Sequence, residues 1–261
     1  MTPVVIALAA VLGLLIGSFL NVVIARVPDD ESVVSPPSRC PRCEAPIAPR
    51  DNVPVVSWLL LRGRARCCGE PIAARYPLVE ATTAVAFALV AAWLGPDVAL
   101  PAFLYLAALS IALAVIDYDT KRLPFVLVAP AYPVAAVLLG VASLVDGDRA
   151  SAVRALVGGA SLWLFYRVLH QVKPAGMGYG DVRLSGVLGM YLAWLGYGQL
   201  VVGAFLGFLV GGVGGLLLIA VGRGSMKTQI PYGPYMLVGA WLGAVWGGPV
   251  AHAYLRMSGL A

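Results

Sequence analysis

The chain has 261 residues, of which 60% are apolar and 12% charged, whereas a soluble domain carries about 25% charged residues. With a mean hydropathy of +0.87, this composition excludes an ordinary soluble enzyme. The net charge of +5 falls in loops between apolar runs, so no nucleic-acid partner is needed to explain it.

Residues 4–25 carry no ionisable side chain and reach the length of about 20 that a helix needs to cross a bilayer core. No Lys or Arg precedes them and Arg26 follows, the reverse of a cleaved signal peptide. A first membrane helix over 4–27 is therefore expected. Residues 28–76 form the one sizeable polar segment. Beyond it, residues 78–95 hold a single acid, Glu80, and residues 98–116 and 123–145 are uncharged, tyrosine aside. Residues 151–170 contain only Arg154 and Arg167. The uncharged run 184–222 is too long for one crossing and divides at Gly196-Tyr197-Gly198-Gln199, where turn formers cluster. Residues 228–255 close the set, with His252 counted as neutral. The fold expected is an all-α polytopic membrane protein with about eight transmembrane helices. Seven of them form a domain over 77–261, and the first is followed by a cysteine-bearing loop.

Eight crossings make the loops alternate sides, and Lys and Arg concentrate on the cytoplasmic side. Of the 18 basic residues, 15 fall on one side: eight arginines in 26–76, then Lys121 and Arg122, Arg167, Lys173 and Arg183, and Arg223 and Lys227. Arg149, Arg154 and Arg256 fall on the other. Both termini are thus expected outside, with the long loop in the cytoplasm.

All four cysteines, Cys40, Cys43, Cys67 and Cys68, lie in that loop. Disulfides are disfavoured in a reducing cytoplasm, so the cluster suggests a structural zinc site. The first pair has the two-residue gap of a zinc knuckle. The second pair is adjacent, and neighbouring side chains tend to diverge, which leaves open a half-site without metal. A catalytic metal is not expected, because a catalytic site usually keeps His or carboxylate ligands and an open position, whereas the cluster here is of four thiols.

Three acids stand out. Asp117 and Asp119, in "IDYDTKRLP" (116–124), follow an uncharged run, and Asp181 ends "GMGYGD" (176–181) before the next one. The topology brings Asp117 and Asp181 to the same membrane face. Ordinary turn or helix-start roles account for such residues, while acids at membrane depth are functional candidates. The chain has two histidines, His170 and His252, and no serine in a nucleophile-elbow pattern. By elimination, hydrolytic chemistry falls to a pair of aspartates sharing one proton.

Taken together, the chain resembles the type IV prepilin peptidase family, membrane aspartic proteases of the GxGD class. "GSFLNVVIARVP" (17–28) resembles the end of the family's first helix, and "CPRC" (40–43) with "RYPLVE" (75–80) its cytoplasmic loop and exit. "IDYDTKRLP" and "GMGYGD" resemble the two catalytic motifs, and "PYGPYMLVGAW" (231–241) the last helix. The resemblance implies that Asp117 and Asp181 are the catalytic pair, Asp119 a bystander, and Gly178 and Gly180 a side-chain-free approach for substrate. It further implies cleavage of the short basic leader of prepilins or pseudopilins after a glycine, at the cytoplasmic face of the bacterial inner membrane. It also implies S-adenosylmethionine-dependent methylation of the new N-terminus, tied to the cysteine loop. The second cysteine pair departs from the pattern: matched through "RYPLVE", Cys68 is the last cysteine, and its partner position, 65, is Ala65.

Two rivals remain at this point. A proton-coupled carrier would use Asp117 and Asp181 as relay carboxylates, and a zinc-stapled scaffold would use the cysteines alone. Glycine-rich stretches at 203–215 and 243–248 fit all three, because small residues let helices pack closely in lipid.

Overall fold

The computed structural model describes residues 1–40, 42–174, 177–221 and 231–259, and among these the regular structure is helical, with isolated bridges only. Gly176 of the glycine motif, Arg223, Lys227 and the start of the 228–255 run lie outside the described residues. In chain order the helices are α1 (Thr2–Arg26), α2 (Val56–Leu60), α3 (Arg75–Leu94), α4 (Leu100–Thr120), α5 (Phe125–Val145), α6 (Arg149–Val172), α7 (Tyr179–Leu195), α8 (Tyr197–Ala220) and α9 (Gly233–Met257). Six of them, α1, α3, α4, α5, α6 and α8, are long and apolar enough to cross a membrane. A count of eight crossings requires α7 and α9 as well.

The long uncharged run breaks more sharply than expected. Gly196 alone forms the joint: its N–H bonds back to Leu192, and its carbonyl already accepts from Leu200 as α8 begins. Tyr197, Gly198 and Gln199 are helical. Large apolar side chains point outward along the helices, among them Leu8, Leu15 and Phe19 on α1 and Val201, Phe205 and Leu209 on α8. Such a surface is costly in water and suits lipid.

The chain forms two compact units, Met1–Ala112 and Leu113–Ala261. In the first, α1 packs on α3 through two glycines, each of whose Cβ, if present, would fall 2.7 Å from a backbone Cα, of Ala84 for Gly13 and of Glu80 for Gly17. In the second unit, the backbones of α6 and α7 meet where Gly158 faces Gly189. Those of α8 and α9 meet where Gly203 faces Gly243 and Gly207 faces Gly239. Close backbone approach of this kind drives helix association where lipid offers no hydrophobic penalty. Helix α7 is the core of this unit. It touches α5, α6, α8 and α9, and all of its residues from Asp181 to Ala193 are buried except Arg183.

Candidate functional site

Asp117 lies in the last turn of α4 and is 4% exposed. The helix stops just after it, because Lys121 adopts a left-handed φ of 55° and its N–H bonds back to the Asp117 carbonyl at 2.8 Å. The Asp117 carboxylate accepts a 3.0 Å hydrogen bond through Oδ2 from the backbone N–H of Gly233, the first residue of α9. That N–H has no intrahelical partner, so the carboxylate satisfies it and meets the positive end of the helix dipole.

Asp181 is the third residue of α7 and is 7% exposed. Its Oδ2 accepts from the N–H of Gly178 at 3.0 Å, and its own N–H donates to the Gly178 carbonyl at 3.1 Å. This reciprocal pair locks the carboxyl over the start of its own helix. Gly178 has an ordinary extended backbone, φ −69° and ψ 150°, so unusual torsion is not what requires a glycine there. A Cβ would instead sit 3.3 Å from the Asp181 carboxylate.

Leu123 joins the two acids' surroundings. A Cβ at Gly180 would fall 2.8 Å from the Leu123 Cβ, and one at Gly233 would fall 3.2 Å from its Cδ2 and 2.8 Å from Asp117 Oδ2. The start of α7, the start of α9 and the end of α4 therefore close around one leucine. The charge of Asp117 reaches Asp181. Asp119 does not share this position: two residues on, a helix has turned by about 200°, and Asp119 is exposed beside Tyr118, itself 74% exposed.

Three groups near the acids carry no role in the sequence reading. Tyr166 of α6 and Tyr232, just before α9, bring their hydroxyls within 3.4 Å of each other, and both feel the charge of Asp181. Tyr179, inside the glycine motif, is covered by cations: the Arg183 and Arg167 guanidinium carbons lie 4.7 and 5.4 Å from its ring centre. Arg183 also covers Phe125 at 4.4 Å, and its backbone carbonyl accepts from the Tyr132 hydroxyl at 2.6 Å. Tyr232 and Gly233 were visible only as part of "PYGPYMLVGAW", whose spacing says nothing about which acid they reach.

In the first unit the four cysteine sulfurs lie within 4.8 Å of one another. They are carried by two turns of the same build. The bridge Arg39–Pro46 and the bonds Cys40 N–H to Ala45 and Glu44 N–H to Cys40 recur as Arg64–Pro71, Ala65 N–H to Glu70 and Gly69 N–H to Ala65. Glu44 and Gly69, at equivalent places, both have positive φ, 58° and 71°. Ala65 thus occupies the place of Cys40, Cys68 that of Cys43, and Cys67 enters from the position between. Sulfur separations are 3.3 Å for Cys43–Cys67, 3.7 Å for Cys40–Cys68 and 3.8 Å for Cys67–Cys68. A tetrahedral zinc with bonds of about 2.3 Å sets its sulfurs about 3.8 Å apart, so the donor set fits such an ion.

The thiols also interact without a metal. Backbone N–H groups of Cys43 and Arg42 hold the Cys40 thiol down to about 6, while the hydrogen bond with Cys43, together with burial, pushes Cys67 up to about 12. Four crowded thiolates repel one another unless a cation joins them. Elsewhere in the same unit, Arg66 grips Asp51 at 2.9 Å, the Trp58 indole N–H donates to the Ile72 carbonyl at 3.0 Å, and the buried Glu80 carboxylate accepts from Val55 N–H at 2.7 Å.

Residues 11–94 match the bacterial peptidase A24 N-terminal domain, and residues 103–216 match the type IV leader peptidase family. Among its relatives, a prepilin leader peptidase/N-methyltransferase of Aeromonas hydrophila is 38% identical over 277 residues, covering 95% of this chain and 93% of the relative. Proteins of the same description from Neisseria gonorrhoeae and Pseudomonas aeruginosa are 38% and 35% identical, over 93% and 95% of this chain and 91% and 92% of their own. No solved structure matches the chain. The chain is a multi-pass membrane peptidase and belongs to the type IV leader peptidase family.

Proposed function

We propose that the chain is an aspartic endopeptidase that cuts the basic leader from prepilins or pseudopilins after a glycine, at the cytoplasmic face of the bacterial inner membrane, and methylates the new N-terminus. One observation carries the catalytic part. Two buried carboxylates, Asp117 and Asp181, each accept one backbone N–H at helix ends that close around Leu123.

Such a pair shares one proton, and its titration belongs to the dyad rather than to either member. The ionised carboxylate takes a proton from water as the water oxygen bonds to the scissile carbonyl carbon. The protonated partner gives its proton to the carbonyl oxygen. Collapse breaks the C–N bond, and a carboxyl proton passes to the departing nitrogen, leaving a free leader acid and a new N-terminal amine. The N–H groups of Gly233 and Gly178 keep both carboxylates aimed through this cycle.

Orientation is inferred from charge. Lys121, Arg122, Arg167, Lys173 and Arg183 lie at the same helix ends as the two acids, the side where basic loops face the cytoplasm. Both termini then lie outside. The four cysteines are proposed to hold a structural zinc, and S-adenosylmethionine, when bound, supplies the methyl group. The carrier reading finds no support in the family to which the chain belongs.

Cleavage of a prepilin leader peptide by the purified protein tests the proposal. Wild type should cleave, Asp117→Asn and Asp181→Asn should each lose about 10³-fold or more while still inserting, and Asp119→Asn should stay close to wild type. Full activity in either of the first two variants removes the dyad.

A further inference from the structure

Tyr166 and Tyr232 have no part in the mechanism above, and their two hydroxyl protons are unevenly used. Tyr166 of α6 is 2% exposed, and among the described residues its hydroxyl has one partner, the Tyr232 hydroxyl at 3.4 Å. A buried O–H without an acceptor is costly, so Tyr166 donates to Tyr232. The second proton, on the half-buried Tyr232, finds no acceptor among the described residues. Both rings are held from α8. Tyr166 stacks on Phe208 with ring centres 5.3 Å apart, and Tyr232 lies 5.8 Å from the same ring. Gly211 makes room for Tyr232, because a Cβ there would fall 2.9 Å from the phenol ring. The backbone of Tyr232 is fixed as well, since its carbonyl accepts from the N–H groups of Tyr235 and Met236 as α9 begins. One peptide unit on, the Gly233 N–H holds the Asp117 carboxylate. The charge of Asp181 reaches both hydroxyls. Tyr232 is thus tied by its backbone to one acid and by its phenol to the surroundings of the other.

We propose that Tyr232 is a catalytic residue whose hydroxyl donates a hydrogen bond to the oxygen of the scissile carbonyl as negative charge builds there. This role rests on the aspartic-peptidase reading above and adds a donor to it. The protonated carboxyl still gives its proton to that oxygen. The Tyr232 proton stays on the phenol throughout, so the proton balance of the cycle is unchanged. Tyr166 is a positioning residue: by donating to Tyr232 it polarises that phenol and turns its remaining hydrogen away from the pair. Their separation of 3.4 Å exceeds the about 2.7–2.8 Å of a closed O–H···O bond, and such contacts tighten only when the reacting complex forms. A donor aimed at developing charge acts more on the transition state than on bound substrate, so its effect falls on kcat.

Steady-state cleavage of a prepilin leader substrate by the full-length protein in detergent tests the role. Tyr232→Phe keeps the ring beside Phe208 and removes only the oxygen. Its kcat should fall by about 10²-fold, as when one oxyanion donor is lost, with KM changed by less than about twofold. Tyr166→Phe should lose only about fivefold. The double variant should fall no further than Tyr232→Phe, because Tyr166 acts through Tyr232. A pair that merely ties α6 to the start of α9 gives another pattern: either phenylalanine breaks the same tie, and both single variants fall alike. Equal losses, a loss confined to KM, or wild-type kcat in Tyr232→Phe each overturn the role. Tyr232→3-fluorotyrosine keeps the hydroxyl, as a stronger donor of nearly the same size, and so does not depend on how the phenylalanine variant folds. It should cleave at or above wild-type kcat, and a kcat as low as that of Tyr232→Phe overturns the role. Asp181→Asn in the same assay separates the two possible failures. If it is inactive while Tyr232→Phe is unchanged, the tyrosine's role alone falls. Full activity in Asp181→Asn removes the dyad and Tyr232 with it.

Discussion

The aspartates of Leu113–Ala261 sit where helix ends close on one another, whereas the cysteines of Met1–Ala112 sit on turns with almost no core of their own. Asp117 and Asp181 are both buried, and each is fixed by a backbone N–H. Around them Leu123, Gly180 and Gly233 leave no room for another side-chain atom. Three of the four cysteines are exposed, and the turns that carry them are built from a few short backbone bonds. A packed site keeps its geometry without a ligand. A turn-borne thiol site needs an ion to complete it, as small structural zinc modules do. The peptidase geometry should therefore be robust to metal loss and fragile to added side-chain atoms, and the cysteine region should behave the other way round.

The largest expected effect tests the packed side. In Gly233→Ala the new methyl would lie 2.8 Å from Asp117 Oδ2, which forces the carboxylate off its N–H donor. Misplacement of this size costs about 10²-fold in positioned catalysis, so kcat for leader cleavage should fall by about that factor with the protein still folded. Unchanged kcat would mean that the Gly233 N–H does not fix Asp117.

The two regions also differed in how much of them could be read from sequence. Uncharged runs marked the helices, because lipid demands apolar length. The positions of Asp117 and Asp181 followed from motif and alternation alone. What holds them did not, because Gly233 reaches Asp117 across 116 residues and no local pattern encodes that pairing. Tyr166 and Tyr232 were hidden for the same reason. In the cysteine loop the spacing marked Ala65 as the odd position, yet adjacency argued that the Cys67 and Cys68 side chains diverge. The repeated turn bonds place their sulfurs 3.8 Å apart, a geometry set by backbone register that residue spacing does not carry.

A smaller effect tests the turn-borne side. Chelation of the purified protein should remove one metal ion per chain and lower methylation of the product, with leader cleavage changed by less than about twofold, since a structural ion supplies folding energy locally. Elemental analysis distinguishes the ligand set. Cys67→Ala should lose the ion, while the double variant Ala65→Cys/Cys67→Ala, which restores the two-residue gap in the second turn, should keep it. Full metal content in the Cys67→Ala single variant would exclude Cys67 as a ligand.

The smallest effect lies between these extremes, at Tyr179, where the packed site reaches the surface. Its ring is covered by Arg183 and Arg167 and lies 5.6 Å from His170, whose Nδ1 is 3.0 Å from the Met177 carbonyl in the same glycine motif. The cations thus tie the approach to Asp181 to the end of α6 and the start of α5. An exposed cation–π contact contributes about 0.5–1 kcal/mol, so Tyr179→Ala should loosen this approach and lower kcat a few-fold, without the loss expected at Gly233. Tyr179→Phe keeps the ring and its negative face and should retain wild-type kcat. If the phenylalanine variant falls as far as the alanine variant, the hydroxyl rather than the stacked cations carries the role, and Tyr179 would join Tyr166 and Tyr232 as a third phenol placed near the two acids.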